Sequence, residues 1–294
     1  MSQIICFGEV LFDVFPTHKK IGGAPLNVAS RLQSLGNDVS MISAVGKDKS
    51  GDKILSYLNE CGVKTNLVQV NQEYKTGKVK VMLNEKGSAS YDIKYPKAWD
   101  KIRLTEASKK HVQKADAFVF GSLVARDESS RNTLYSLIEL AKYKIFDLNL
   151  RRPYYTKEVL VHLMKKADFI KFNDEELYEV SQALGSKYKS LEQNINFIAE
   201  ATLTKHICVT KGEHGAVLLY NGKLYYNSGY LIKVVDTVGA GDSFLASLVS
   251  QLLKKVNPQE AIDFACAVGA LVAQSEGANP KISYSEIMAF VDPA

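Results

Sequence analysis

Segments that read as buried strands alternate with segments that read as amphipathic helices along most of this chain, and that order constrains the fold more than any other feature. Residues 3–7 form an apolar run of strand length that stops at Gly8. Residues 27–35 follow the turn-rich Gly22-Gly23-Ala24-Pro25 and carry Val28, Leu32 and Leu35 at helical spacing, up to Gly36. Residues 39–45 are strand-like again, and 51–61 place Ile54, Leu55 and Leu58 on one helical face. Side chains repeat about every 3.6 residues in a helix and every second residue in a strand, which is how the two are told apart. Strand and helix in turn imply parallel βα units, because parallel neighbours need a crossover and a helix supplies it.

The series is interrupted once. Residues 78–83 and 88–95 predict two strands around the turn Asn84-Glu85-Lys86-Gly87, a hairpin outside the βα rhythm. Alternation then resumes, with strands over 117–120, 145–148, 169–172, 207–210 and 216–220 and helices over 130–143 and 157–166. Two helices close the chain at 241–255 and 258–273; the first repeats Phe244, Leu245, Leu248, Val249, Leu252 and Leu253 at helical spacing. The expectation is a single α/β domain over 1–294, a doubly wound, mostly parallel sheet flanked by helices. A small β lid is formed mainly by about 77–96, with a short segment near 14–21.

With 294 residues, 46% of them hydrophobic and 23% charged, the chain has ample core for such a domain and does not read as disordered. The formal net charge is +5, but the Lys and Arg residues are scattered and form no stripe, so nucleic acid is not the expected partner. The four cysteines, Cys6, Cys61, Cys208 and Cys266, form no CxxC or Cys/His cluster, which argues against a zinc site or a disulfide framework. Met1 leads directly into the first strand, and no apolar run approaches the roughly 18–20 residues of a membrane span. A cytoplasmic protein with no membrane partner is expected.

The strongest chemical signal is Asp236-Thr237-Val238-Gly239-Ala240-Gly241-Asp242, immediately before the long C-terminal helix. A helix N-terminus carries unpaired N–H groups and the positive end of the helix dipole, so it attracts anions. Gly239 and Gly241 let the backbone approach a phosphate closely, and Asp242 stands where a carboxylate can accept a hydroxyl proton. The same residues also read as a tight turn with Asp242 capping the helix.

This segment resembles the C-terminal signature of the ribokinase-like (PfkB) carbohydrate kinases. An N-terminal match joins it: Gly22-Gly23-Ala-Pro-Leu-Asn27-Val-Ala29, then Leu35-Gly36, then Gly46-x-Asp48-x-x-Gly51. The resemblance covers essentially the whole chain, hairpin included. It implies an ATP-dependent phosphotransferase with an alcohol acceptor, Asp242 as catalytic base, and the amides of Gly239, Ala240 and Gly241 as the anion hole. In Lys171-Phe-Asn173-Asp-Glu-Glu176, Asn173 and Glu176 resemble the Asn-x-x-Glu motif that organises Mg²⁺, largely through water. Thr210-Lys211-Gly212 with Gly215 resembles the ATP loop, which Gly239 and Gly241 also border. Gly277-Ala278-Asn279-Pro280 resembles the loop beside the adenine. A K⁺ ion would lie near Asp236, Val238 and carbonyls around Gly277.

For the sugar, Asp13, Gly22, Gly23 and Asn27 are the candidates after the first strand, where ligands of open α/β sheets gather. Arg151, at a strand end, can hold a phosphate or a carboxylate. Gly8-Glu9-Val-Leu-Phe-Asp13, Gly23-Ala24-Pro25, Phe120-Gly121-Ser122-Leu123, Asp147-Leu-Asn149-Leu-Arg151 and Tyr95-Pro96-x-Ala98-Trp99-Asp100 resemble the fructokinase branch. Leu148 departs from it, standing where fructokinases often have proline. That branch implies D-fructose as substrate and fructose 6-phosphate as product; 2-keto-3-deoxygluconate kinases share a similar Asp-x-Asn-x-Arg stretch and are the alternative. A sugar-sensing pseudokinase would have a damaged base or metal motif, and Asp242, Asn173 and Glu176 are present. A dinucleotide-binding dehydrogenase lacks its GxGxxG after the first strand, and a P-loop enzyme fails because Asp52 stands where lysine is required. An exposed lid hairpin could pair two subunits into a homodimer.

Overall fold

The computed structural model describes residues 1–83 and 89–292. The first half runs β1 (Gln3–Phe7), β2 (Leu11–Val14), β3 (Lys19–Gly22), α1 (Ala24–Ser34), β4 (Asp38–Gly46), α2 (Lys49–Glu60), β5 (Val68–Asn71), β6 (Gly77–Leu83), β7 (Ala89–Ile93), α3 (Glu106–Lys114), β8 (Ala117–Gly121) and α4 (Glu128–Ile138). The second half runs β9 (Lys144–Asp147), α5 (Lys157–Lys166), β10 (Phe169–Asn173), α6 (Asp174–Ala183), α7 (Leu191–Thr202), β11 (His206–Thr210), β12 (Ala216–Tyr220), β13 (Lys223–Asn227), α8 (Ala240–Leu253), α9 (Pro258–Ala273) and α10 (Tyr284–Val291).

Among the described residues, nine strands form the central sheet in the order β13-β12-β11-β10-β9-β8-β1-β4-β5. It is parallel from β5 to β11 and ends in an antiparallel meander, β11-β12-β13. Alternate residues of one strand serve opposite faces. Ile4 and Cys6 pack on the side of α1, α8 and α9, while Ile5 and Phe7 pack on the other side with Phe118, Phe120 and Phe146. Burial on both faces is why these strands read as continuous apolar runs.

A second sheet has the order β3-β2-β6-β7. The hairpin expected over 78–95 supplies β6 and β7, ending at Ile93; the turn at 84–87 lies outside the described residues. The segment near 14–21 is more than an accessory. Leu11–Val14 and Lys19–Gly22 are strands of this sheet, and β2 pairs in parallel with β6. Such short strands are held by partners distant in sequence and carry little periodicity of their own, which is why the sequence pattern does not reveal them.

Helix ends depart from the periodic reading where a cap decides. The helix expected over 27–35 begins at Ala24, because Pro25 suits a first helical turn. The one expected over 130–143 starts at Glu128, where Asp127 accepts from Ser129 N, and ends at Ile138. No described helix is long and apolar enough to cross a membrane.

Candidate active site

The site lies at the carboxyl ends of the central strands, where the N-terminus of α8 meets α1 and the small sheet. Gly239 caps α8 in the left-handed region, at φ 78°. A Cβ there would stand 2.6 Å from Ala278 Cα, so the turn is open only to glycine. Ahead of it, Asp236 Oδ1 accepts from Val238 N at 3.0 Å, and Oδ2 accepts from Gly277 N at 3.1 Å and Lys20 Nζ at 3.3 Å. Burial works upward on this carboxyl, but those amides and the Lys20 ammonium hold it below its ordinary range.

Asp242, in the first turn of α8, accepts from Asn27 Nδ2 at 2.8 Å. Asn27 Oδ1 in turn accepts from Asn279 Nδ2 at 2.9 Å. One turn further along α1, Arg31 donates to Ser243 Oγ at 3.2 Å and to the Pro280 carbonyl at 2.9 Å. One face of α1 therefore holds both the start of α8 and the 277–280 loop. Burial and the nearby Asp147 charge push Asp242 up to about 6, against Asn27, Lys171 and Arg151.

Asp13 lies on β2, and a side chain at Gly22 would run into its carboxylate. Gly23, at φ 113°, passes so close to the Glu9 carbonyl that a Cβ would stand 2.5 Å away. Burial pushes Asp13 up to about 6, with Arg151 and Lys20 opposing and Asp242 adding to the rise. Arg151 donates to the Leu150 carbonyl at 2.9 Å, and its charge acts on Glu9, Asp13 and Asp242 together.

Beside the Gly239–Gly241 turn opens a cavity of about 620 Å³, lined among others by Asn173, Thr210, Gly212, Gly215, Ala240 and Gly241. Two further residues expected at the nucleotide take part in the local hydrogen bonding. Lys211 shapes the turn through its N–H on the Gly215 carbonyl at 2.8 Å, and Asn279 Nδ2 donates to Asn27 Oδ1 at 2.9 Å. Asn173 and Glu176 form a reciprocal capping box on α6: Glu176 N donates to Asn173 Oδ1 at 2.7 Å, and Asn173 N to Glu176 Oε2 at 2.8 Å. Glu176 also accepts from Leu150 N at 2.7 Å. With these oxygens already accepting N–H groups, the pair suits a hydrated Mg²⁺ held through water better than a bare one. Among the described residues, no group of three or more His, Cys, Asp or Glu side chains is placed to hold a metal.

Three residues near the site, each inside a quoted motif, were given no role of their own by the sequence reading. Lys171 Nζ is buried 3.0 Å from Asp147 Oδ1, where β10 and β9 run side by side. A Cβ on Gly241 would lie 3.6 Å from that ammonium, so the pair underlies the Gly239–Gly241 turn. Burial works against the charge of Lys171, yet Asp147, Glu176 and Asp242 outweigh it and hold the lysine above its usual range. A lysine inside the apolar strand run Phe169-Ile170-Lys171-Phe172 was the available signal.

The third is Glu9, 3% exposed, whose Oε2 finds no hydrogen-bond partner among the described residues. Burial pushes it up to about 7 from an ordinary 4.5, against its own backbone N–H, Arg151 and Arg126. A carboxyl raised on folding stabilises the fold fully below its unfolded value, and that contribution is lost as pH rises through the folded one. Glu9→Gln should therefore flatten the fall in melting temperature between about pH 4.5 and 7. Above pH 7 the variant should be more stable than wild type by roughly 1–3 kcal/mol, since it buries no charge there. An unchanged pH slope in thermal denaturation would show that Glu9 does not titrate there.

A glycine turn feeding a helix N-terminus, with a half-buried carboxylate beside it and a cavity in front, marks the class: an α/β phosphotransferase. A model of the pfkB family carbohydrate kinases matches residues 1–283, and the chain belongs to that family. It is a carbohydrate kinase, transferring a phosphoryl group to a hydroxyl. A fructokinase of Vibrio alginolyticus is 27% identical over 99% of this chain and 99% of its own length. A probable chloroplastic fructokinase of Arabidopsis thaliana is 27% identical, over 96% of this chain and 80% of that protein. A double mutant of the fructokinase of Vibrio cholerae O395, solved with fructose, ADP and a potassium ion, superposes with a TM-score of 0.85 at 25% identity, covering 99% of both chains.

Proposed function

We propose that this kinase transfers the γ-phosphoryl of ATP to D-fructose, giving fructose 6-phosphate, with Asp242 as general base. The observation that carries the reading is the Asp242 carboxylate itself, half-buried and held by Asn27 at 2.8 Å directly after the Gly239–Gly241 turn. Asp242 takes the proton from the sugar hydroxyl as that oxygen bonds to the γ-phosphorus. The bond from phosphorus to the β–γ bridging oxygen breaks, and ADP leaves with that electron pair. The amides of the Gly239–Gly241 turn, with Lys171 beneath it, face the charge spread over the transferring oxygens.

The 620 Å³ cavity is the ATP site in this reading, with Thr210, Gly212 and Gly215 along it. Mg²⁺ would be held through water by Asn173 and Glu176 and would neutralise charge on the β- and γ-phosphates. Asp236 and the Val238 backbone are the candidates for K⁺, such as the Vibrio cholerae fructokinase binds; Lys20 already shares that carboxylate. Asp13, Asn27 and the Gly22-Gly23 backbone bind the sugar, under a lid made by the small sheet.

The substrate in this reading is a neutral sugar. The charge of Arg151 already acts on Glu9, Asp13 and Asp242, which leaves less of it for a substrate carboxylate such as that of 2-keto-3-deoxygluconate. Fructokinases among the relatives point the same way. The test is ATP- and Mg²⁺-dependent ADP release with fructose, 2-keto-3-deoxygluconate, ribose, adenosine and fructose 6-phosphate in parallel. Highest kcat/KM on fructose supports the assignment, and a better acid substrate overturns it. Asp13→Asn should raise the fructose KM by about tenfold or more, as expected for a lost charge-assisted hydrogen bond, with the ATP KM within about twofold. Equal changes in both would remove Asp13 from the sugar site.

A further inference from the structure

We infer that Arg126, stacked on Trp99, is the positioning residue that seats the small sheet over the sugar site. The inference rests on reading that sheet as the lid.

Arg126 ends a short 3₁₀ turn (Leu123–Arg126) directly after β8, within the body of the domain. Its side chain is 3% exposed and faces Asp100, at 0%, through a two-pronged ion pair: Nε to Oδ1 at 2.7 Å and Nη2 to Oδ2 at 2.9 Å. The guanidinium lies 4.1 Å from the Trp99 ring centre, with the rings of Tyr154 and Tyr95 at 4.9 and 5.2 Å. The remaining donors reach the point where β7 returns to the body: Nη1 to the Ile93 carbonyl at 3.4 Å and Nη2 to the Lys94 carbonyl at 2.9 Å. Tyr154 OH donates to the same Ile93 carbonyl at 3.0 Å.

The other leg of the sheet rests on the same platform. A Cβ at Gly77, the first residue of β6, would stand 2.6 Å from Trp99 Nε1, so the strand lies directly on the indole. Lys75, just before it, accepts from Ala98 N at 2.9 Å. One stacked unit therefore meets both roots of the small sheet.

Register carries this to the sugar. Ile93 pairs with Val79, Val79 with Asp13, and Asp13 with Lys20, so one row crosses all four strands. Arg126 holds the Ile93 end of that row, and Asp236 holds the Lys20 end through its ion pair. Asp13 stands between the two anchors, and a shift at Ile93 moves it. Lysine cannot replace Arg126, because one ammonium cannot span Asp100 and two carbonyls as the planar fork does.

The test uses the full chain, Arg126→Lys and Arg126→Met, and whichever sugar the wild type phosphorylates. Arg126→Lys keeps the buried positive charge, which guards against simple unfolding. Its sugar KM should rise about 10- to 100-fold through lost charge-assisted hydrogen bonds, with the ATP KM within about twofold. Trp99 is the one tryptophan of the sequence, so intrinsic fluorescence reports on the platform. Sugar should change the wild-type emission, and in Arg126→Lys that change should need correspondingly more sugar. Without any ligand, hydrogen exchange at the amides of β6 and β7 should be at least tenfold faster in Arg126→Lys. That last readout stands even if every sugar tested proves inert, so failure of the substrate assignment and failure of the seat remain distinct. A folded Arg126→Lys with wild-type sugar KM, or with wild-type exchange across β6 and β7, overturns the inference, as does a lowered melting temperature with both KM values unchanged.

Discussion

Asp242→Asn is expected to lower kcat by about 10²–10⁴-fold, the usual contribution of a positioned general base. The amide can fill the same space beside Asn27 but cannot take the hydroxyl proton. Melting temperature and ATP binding should stay near wild type, so the loss falls on chemistry. The pH profile adds a second check. The base works only when ionised, and burial with the Asp147 charge pushes its carboxyl up to about 6. Wild-type activity should therefore rise with pH through about 6 and level off above it. Asp13 titrates near the same value and feels the Asp242 charge, so the limb belongs to the coupled pair. A substitution at Asp242 that leaves kcat within tenfold would show that the proton goes elsewhere.

Gly239→Val should be nearly as damaging, for a geometric reason. At φ 78° a branched side chain is strained, and its Cβ would stand 2.6 Å from Ala278 Cα, which is backbone and cannot swing aside. The turn must move, and its amides move with it. Displacing one preorganised anion-hole donor costs about 10²–10³ in kcat. Gly241→Ala is the matched comparison. Its Cβ meets only the Lys171 ammonium, at an ordinary 3.6 Å, so it should retain far more activity. Steady-state kinetics on both variants, with thermal melting to confirm folding, settles the matter; equal kcat values in the two would detach catalysis from the shape of this turn.

Much of the architecture is legible in local pattern. Residues 3–7, 216–220, 157–166 and 258–273 are the bounds of β1, β12, α5 and α9, because apolar period and punctuation are local properties. Strands β2, β3, β5 and β13 are four or five residues long, and their pairing partners rather than their composition make them strands. The Gly-Ala-Gly-Asp turn announces itself, since a left-handed glycine at a helix start is a local requirement. The paired roles of Asn173 and Glu176 are legible only in part: the Asn-x-x-Glu spacing is that of a capping box, which the structure shows formed, but the further bond from Leu150 N to Glu176 arises only from packing.

The sequence alone thus determined the layering of the fold, the glycine turn before α8, and the carboxylate proposed as the base. Tertiary structure alone decided what surrounds that carboxylate. Asn27 reaches Asp242 across 215 residues, Asn279 reaches Asn27 across 252, and Lys171 meets Asp147 across 24. It likewise gathered Arg126, Trp99 and Asp100 beneath the roots of the small sheet. The physical reason is the range of the forces. Helix capping and the apolar periodicity of helices and core strands depend on neighbours a few residues away, whereas these hydrogen bonds and ion pairs depend on strand order and register, which exist only once the chain has packed.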